Sequence, residues 1–189
     1  RIKRIGIVLF QSEAVGHHVI TVNIFFIATD WFEDKCELIV VLRQWSKLQV
    51  DIEPLKNLKN STGYDSCKAR PYIVKGSQFL KEKLISDGVF TGITATANGF
   101  FGPQGRVLRL PLKDQNLNDK LESFRFKENR ITNLEMETSA IYGLSLLMGH
   151  QALSLNAIIA NRPGRAFSKD PYAAIERLII YTLDRLAEF

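Results

Sequence analysis

Residues 138–186 constrain the fold more than any other stretch, because a helix, a strand and a second helix can be read from them in succession. Thr138 to Met148 places Ala140, Ile141, Leu144, Leu147 and Met148 at helical spacing, and Gly149 stands where such a helix can end. Ala152 to Ala160 then reads as a strand with an apolar end. Asp170 is placed as an N-cap with Pro171 at the first helical position. Ile175, Leu178, Ile179, Leu183 and Leu186 line one face of a final helix. This order predicts an α/β domain, with a mixed central β-sheet flanked by helices.

Upstream the same reading predicts strands at Ile5 to Phe10, Val19 to Ala28 and Cys36 to Leu42. Residues 43–70 show no period, and Lys56 to Gly63 reads as a loop. Pro71 to Val74 is extended. Ser77 caps a helix whose apolar face is Phe79, Leu80, Leu84 and Ile85, ending near Gly88. Phe90 to Ala97 is expected as a strand entering the loop Asn98 to Arg106, with Val107 to Leu112 returning as a strand and Lys120 to Arg125 as a short helix.

Bulk properties exclude several classes. At 46% hydrophobic and 24% charged, 189 residues can bury one sizeable core, so disorder is not the expectation. The net charge of +5 permits an anion such as phosphate, but Lys and Arg are scattered, which ranks small anions ahead of nucleic acid. No run of 18 apolar residues is present, so no membrane span is expected. Cys36 and Cys67 lack metal-site spacing and read as reduced thiols of a cytoplasmic protein. His17 and His18 are adjacent, so their rings point apart and a shared ligand is disfavoured; no metal is predicted. Gly6 to Phe10 is too short an apolar run for a signal peptide, and a chain starting at Arg1 reads as a fragment.

Two stretches carry chemistry. In Asn98 to Arg106, Gly99, Gly102 and Gly105 allow close backbone approach, yet they match neither the dinucleotide-binding glycine pattern nor a P-loop. Phe100 offers a ring face for a base. Gln104 offers a planar amide donor and acceptor, and Arg106 a planar fork of donors. Such a set suits the carbonyls and ring N–H of a uracil edge, and positive charge beside a carbonyl steadies a departing uracil anion. The competing reading is a solvent loop with an incidental arginine. In the second stretch, Glu135 and Glu137 flank Met136. A carboxylate can accept from both hydroxyls of a ribose, and the bonds strengthen as the sugar becomes an oxocarbenium ion. Met136 would pack against the sugar. The competing reading, an acidic first helical turn favoured by the dipole, accounts for Glu137 better than for Glu135.

With Thr94-Ala95, Phe100…Gln104-Gly105-Arg106, Asn133-Leu134-Glu135-Met136-Glu137-Thr138-Ser139-Ala140 and Ala157-Ile158-Ile159-Ala160-Asn161-Arg162 in this order, the chain resembles the nucleoside phosphorylase superfamily, in particular its uridine phosphorylase-like branch. The resemblance covers residues 70–189 of what is expected to be one partial domain, 1–189. It implies a phosphorylase/hydrolase-like fold and cleavage of a nucleoside's N-glycosidic bond by inorganic phosphate, releasing base and ribose 1-phosphate. It implies Phe100, Gln104, Arg106, Ile159 and Ala160 at the base, Glu135, Met136 and Glu137 at the ribose, Arg162 as a structural or gating arginine nearby, and no metal or organic cofactor. Glu137 and Arg106 would carry catalysis, and a homo-oligomer is expected. Purine enzymes of the superfamily place an aspartate acid after the last of these strands. Asn161-Arg162 stands there instead, and an amide cannot serve as that acid, which favours a pyrimidine.

The departures are concentrated upstream. Arg4-Ile5-Gly6 resembles the start of the family's phosphate motif, but Ile7-Val8-Leu9-Phe10 follows, so only Arg4 carries over as a phosphate ligand. Residues 7–69 match nothing in the family, as expected for a truncated N-terminus and a frameshifted or damaged reading frame restored near Arg70. Two other functions stay open on the sequence: an inactive remnant that binds nucleosides or serves as a structural domain, and a hydrolase using water.

Overall fold

The computed structural model describes residues 4–11, 21–29, 56, 59–60, 63, 72–161, 164 and 166–188. The expectations for His17, His18, Cys36 to Leu42, Cys67 and Arg162 lie outside these residues. The chain is mixed α/β. It divides into two compact units: residues 1–47, 76–89 and 144–189 form the first, and 48–75 and 90–143 the second.

In the first unit, β1 (Arg4–Gln11) and β2 (Thr21–Thr29) are antiparallel, with Arg4 opposite Thr29 and Gln11 opposite Val22. The other edge of β2 pairs antiparallel with a later strand, Gln151–Ile158, Thr21 lying opposite Ile158. Against this sheet pack two helices, α1 (Gln78–Leu84) and a C-terminal helix, Pro171–Ala187. Ser77 caps α1 as its sequence predicts: its hydroxyl accepts from the Leu80 amide at 3.1 Å and donates to Gln151 Oε1 at 2.5 Å. The face buried by α1 is narrower than expected. Leu80 and Leu84 are buried, while Phe79 and Ile85 are each more than 40% exposed. Leu80 and Leu84 pack with Leu155, Leu153, Leu178, Ile179, Tyr181 and Leu186. Full burial stabilises each leucine by about 1.5–3 kcal/mol.

The C-terminal helix begins as read, with the Asp170 carboxylate accepting from the Ala173 amide at 2.9 Å and Pro171 beside it. Leu178, Ile179 and Leu186 of the expected face pack on the core, but Tyr181 joins them and Thr182 is buried, while Leu183 is left half exposed. The reason is polar: the Tyr181 hydroxyl bonds the Leu84 carbonyl and Ser86 Oγ, so the aromatic residue takes the inner position.

The second unit holds β3 (Ile93–Thr96), α2 (Leu117–Ser123), β4 (Arg125–Phe126) and β5 (Asn129–Glu135), followed by α3, Thr138–Leu147, which runs on into the first unit. The strand order is β3-β5-β4, with β3 parallel and β4 antiparallel to β5, a small mixed sheet. The hairpin β4–β5 turns through Lys127, whose φ of 54° is left-handed. Helix α3 stops at Gly149 (φ 73°), where His150 N–H donates to the Ser145 carbonyl and Gly149 N–H to the Leu146 carbonyl, satisfying the last turn's acceptors. In the first unit again, the strand Gln151–Ile158 is β6. A small antiparallel pair follows, β7 (Ala160–Asn161) and β8 (Ala166–Phe167), and Pro171–Ala187 is α4.

Two sequence expectations are corrected here. Lys56, Lys59 and Asn60 are helical, within what the sequence reads as a loop. Val107 to Leu112 forms no strand. Val107, Leu108 and Leu110 are 62–81% exposed, and Pro111 removes a donor that a ladder would need.

Candidate functional site

Strands β3 and β5 are parallel neighbours that end together, Thr96 opposite Glu135, with the Ala97 amide donating to the Glu135 carbonyl at 2.8 Å. Both chemically loaded stretches leave from these ends: the glycine-rich loop follows β3, and Glu135-Met136-Glu137 closes β5. The carboxyl end of adjacent parallel strands is where open α/β sheets bind ligands.

Within the loop, the structure brings Phe100, Gln104 and Arg106 together. The Arg106 guanidinium lies over the Phe100 ring, 3.6 Å from its centroid. Its Nη1 donates to the Phe100 carbonyl and, at 2.7 Å, to Gln104 Oε1. Gln104 is buried and Arg106 half-buried. Arg106 therefore covers one face of Phe100, while Phe101 meets the ring edge-on at 5.2 Å. A single turn of 3-10 helix, Gly102–Gln104, makes the approach possible, because it directs Gln104 inward and ends on Gly105 at φ 70°. The Gly105 and Arg106 amides return to the Gly102 and Phe101 carbonyls.

Gly105 is constrained twice. Its backbone is left-handed, and a Cβ there would overlap the Asn118 amide of α2, whose Nδ2 donates to the Gly105 carbonyl at 3.3 Å. Gly105→Ala is expected to lower folding stability by about 1–3 kcal/mol, read as a fall in the urea midpoint. An unchanged midpoint would show that the loop does not depend on this conformation.

At the end of β5, Glu135 is 4% exposed and engaged on both oxygens. Oε1 accepts the Thr96 hydroxyl at 2.5 Å, and Oε2 accepts the amides of Glu137 and Thr138, each at 2.7 Å. Glu135 is thus the acid seated at the start of α3, the position that the sequence assigned more naturally to Glu137. Its charge lies where the helix dipole favours it. The next amide, Ser139, donates to Thr96 Oγ1 at 3.0 Å, and Tyr72 Oη donates to Ser139 Oγ at 3.1 Å. All three amides are taken by the chain itself.

Glu137 differs from Glu135. It is half-buried, and burial first and the neighbouring Glu135 charge second lift its carboxyl above its ordinary pKa, against a lowering by the Met136 amide. Met136, between them, is also half-buried.

The remaining candidates belong to the first unit. Ile159 is buried between β6 and β7, its carbonyl accepting from the Ser168 amide at 2.8 Å, and half-buried Ala160 opens β7 opposite Phe167. Asn161 spends its side chain on a turn, Oδ1 accepting from the Gly164 amide at 3.1 Å. Arg4 is the first residue of β1, and the strand runs through Ile5 and Gly6 without a turn.

The sequence reading missed Thr96, Tyr72 and Ser139 as a connected group. A threonine closing a strand beside an acidic strand end was the available signal. Among the described residues, no cluster of three or more His, Cys, Asp or Glu could hold a metal ion, and no helix is long and apolar enough to cross a membrane. Comparisons of the chain with protein-family models, with curated proteins and with solved structures each return no match.

Proposed function

We propose that the second unit binds a pyrimidine nucleoside and that the protein cleaves its N-glycosidic bond by phosphorolysis, on a phosphorylase-like fold. The observation that carries this reading is the grouping of Arg106, Gln104 and Phe100 in one loop that leaves β3 beside the acidic end of β5. With Oε1 engaged by Arg106, the Gln104 amide is oriented, and Nε2 is its donor side. Arg106 supplies fixed positive charge where a uracil carbonyl gains negative charge as the bond breaks. One face of Phe100 is covered by Arg106, so the base takes the other.

Glu137 accepts from the ribose hydroxyls, with Met136 against the sugar. This role needs the ionised carboxylate. Uridine affinity is accordingly expected to fall as pH drops through the raised Glu137 pKa, and to level off in Glu137→Gln. That variant should lose about 10- to 150-fold in kcat/KM, the worth of hydrogen bonds to a charged group. A wild-type KM that is flat across this pH range would remove Glu137 from the sugar site. The stability effect has the opposite sense. A carboxyl whose folded pKa is raised favours the folded chain fully below its unfolded pKa, and that contribution is lost as pH rises through the folded pKa.

On the same resemblance, inorganic phosphate is the co-substrate, no metal or organic cofactor takes part, and the working form is a cytoplasmic homo-oligomer. A second reading, nucleoside binding without phosphorolysis, is favoured by one observation: Arg4-Ile5-Gly6, the stretch resembling a phosphate motif, lies inside the regular strand β1. Uracil release from uridine, measured with and without phosphate, separates the cases. Release that requires phosphate supports the phosphorylase, and release without it indicates a hydrolase. Uridine binding with no release indicates the binding domain. Neither binding nor release overturns the nucleoside reading.

A further inference from the structure

We propose that Thr96 is a positioning residue, whose hydroxyl anchors the first turn of α3 to the end of β3 and so sets where Glu137 stands. The inference rests on Glu137 being the sugar acceptor; the anchor itself rests on geometry alone.

One hydroxyl does two jobs. Thr96 Oγ1 donates to Glu135 Oε1 at 2.5 Å and accepts from the Ser139 amide at 3.0 Å. Glu135 Oε2 in turn accepts the Glu137 and Thr138 amides. The three consecutive amides around Glu137 are therefore held by a pair of side chains, one from each parallel strand, and Tyr72 adds a bond to Ser139 Oγ. Without the Thr96 hydroxyl, Glu135 loses the partner that orients its carboxylate, and Ser139 loses its acceptor. Glu137 would then leave its place with no atom of its own altered.

The same residue immediately precedes the loop that carries Phe100, Gln104 and Arg106. Displacement of Thr96 would thus disturb base and sugar groups together, whereas loss of its hydroxyl alone acts on the sugar side. Thr96 does not touch the nucleoside in this scheme, and a threonine is well suited to it because its hydroxyl both donates and accepts. Serine keeps the hydroxyl, and valine keeps the shape without it.

The test compares Thr96→Val and Thr96→Ser with the wild-type chain by amide hydrogen exchange at residues 137–139 and by uridine kinetics at saturating phosphate. Thr96→Val is expected to speed exchange at Ser139 about tenfold or more and to raise the uridine KM by a similar factor, with a smaller change in kcat. Thr96→Ser should restore both. Should Thr96→Val fail to fold, Thr96→Cys, a weak donor of similar size, replaces it. Wild-type exchange at Ser139 in the hydroxyl-free variant would overturn the anchor. Faster exchange with an unchanged uridine KM would overturn the positioning role. If the wild-type chain neither binds nor cleaves uridine, the functional reading has failed with the positioning role that depends on it, and the exchange measurement still decides the anchor.

Discussion

Arg106→Ala is expected to reduce phosphate-dependent uracil release by about 100- to 1,000-fold, the loss typical when one preorganised group facing developing negative charge is removed. The guanidinium is held by three contacts before any ligand arrives: the Phe100 ring, the Phe100 carbonyl and Gln104 Oε1. Little reorganisation is left for the moment of reaction, which is the condition under which such a charge is most effective. The same contacts mean that alanine also loosens the loop, so the thermal midpoint must be measured alongside turnover. Arg106→Lys separates the two effects. Lysine keeps the charge but loses the planar fork, so it cannot reproduce the ring stacking together with the bond to Gln104. Activity in the lysine variant should stay within about tenfold of the alanine variant if shape matters. Unchanged turnover in Arg106→Ala would remove the loop from the base site.

Glu135→Ala is expected to cost about 3 kcal/mol of folding stability, more than a hundredfold in the folded-to-unfolded ratio. Three donors lose their acceptor: the Thr96 hydroxyl and the amides of Glu137 and Thr138, all at the closed start of a helix. Each buried donor left unpaired costs about 1–3 kcal/mol, partly recovered where water enters the space. Glu135→Gln keeps an oxygen for the two amides and loses only the acceptor for Thr96, so its cost should be about 1 kcal/mol. Urea denaturation of both variants checks the prediction. A loss below about 0.5 kcal/mol in the alanine variant would overturn the cap, whereas a raised uridine KM at unchanged stability would return Glu135 to the sugar.

These two residues also illustrate how legible the site was. Arg106 and Gln104 could be grouped from the sequence, because an amide and a guanidinium in one short glycine-rich loop offer complementary donors and acceptors. Glu135 could not be understood that way. Strand β5 escaped the sequence reading because its buried positions are polar: Asn133 and Glu135 face inward at 6% and 4% exposure, and no apolar alternation marks them. The partner of Glu135 comes from Thr96, 39 residues earlier. Helix caps are the opposite case. Ser77 and Asp170 are local devices, each acting on an amide three residues on, and both were readable.

The amino-acid order alone therefore determined what depends on neighbours in the chain: the starts of α1 and α4, the end of α3 at Gly149, and the clustering of a ring, an amide and a guanidinium in one loop. Tertiary structure decided what depends on distant pairing. It made Val107 to Leu112 an exposed bend, turned Tyr181 inward, and divided two glutamates two residues apart into a buried cap and a half-buried acid with a raised pKa. The physical reason is common to all three. Burial and hydrogen-bond partners are set by which strands lie side by side, and a carboxylate's role follows from its partners, not from its place in the sequence.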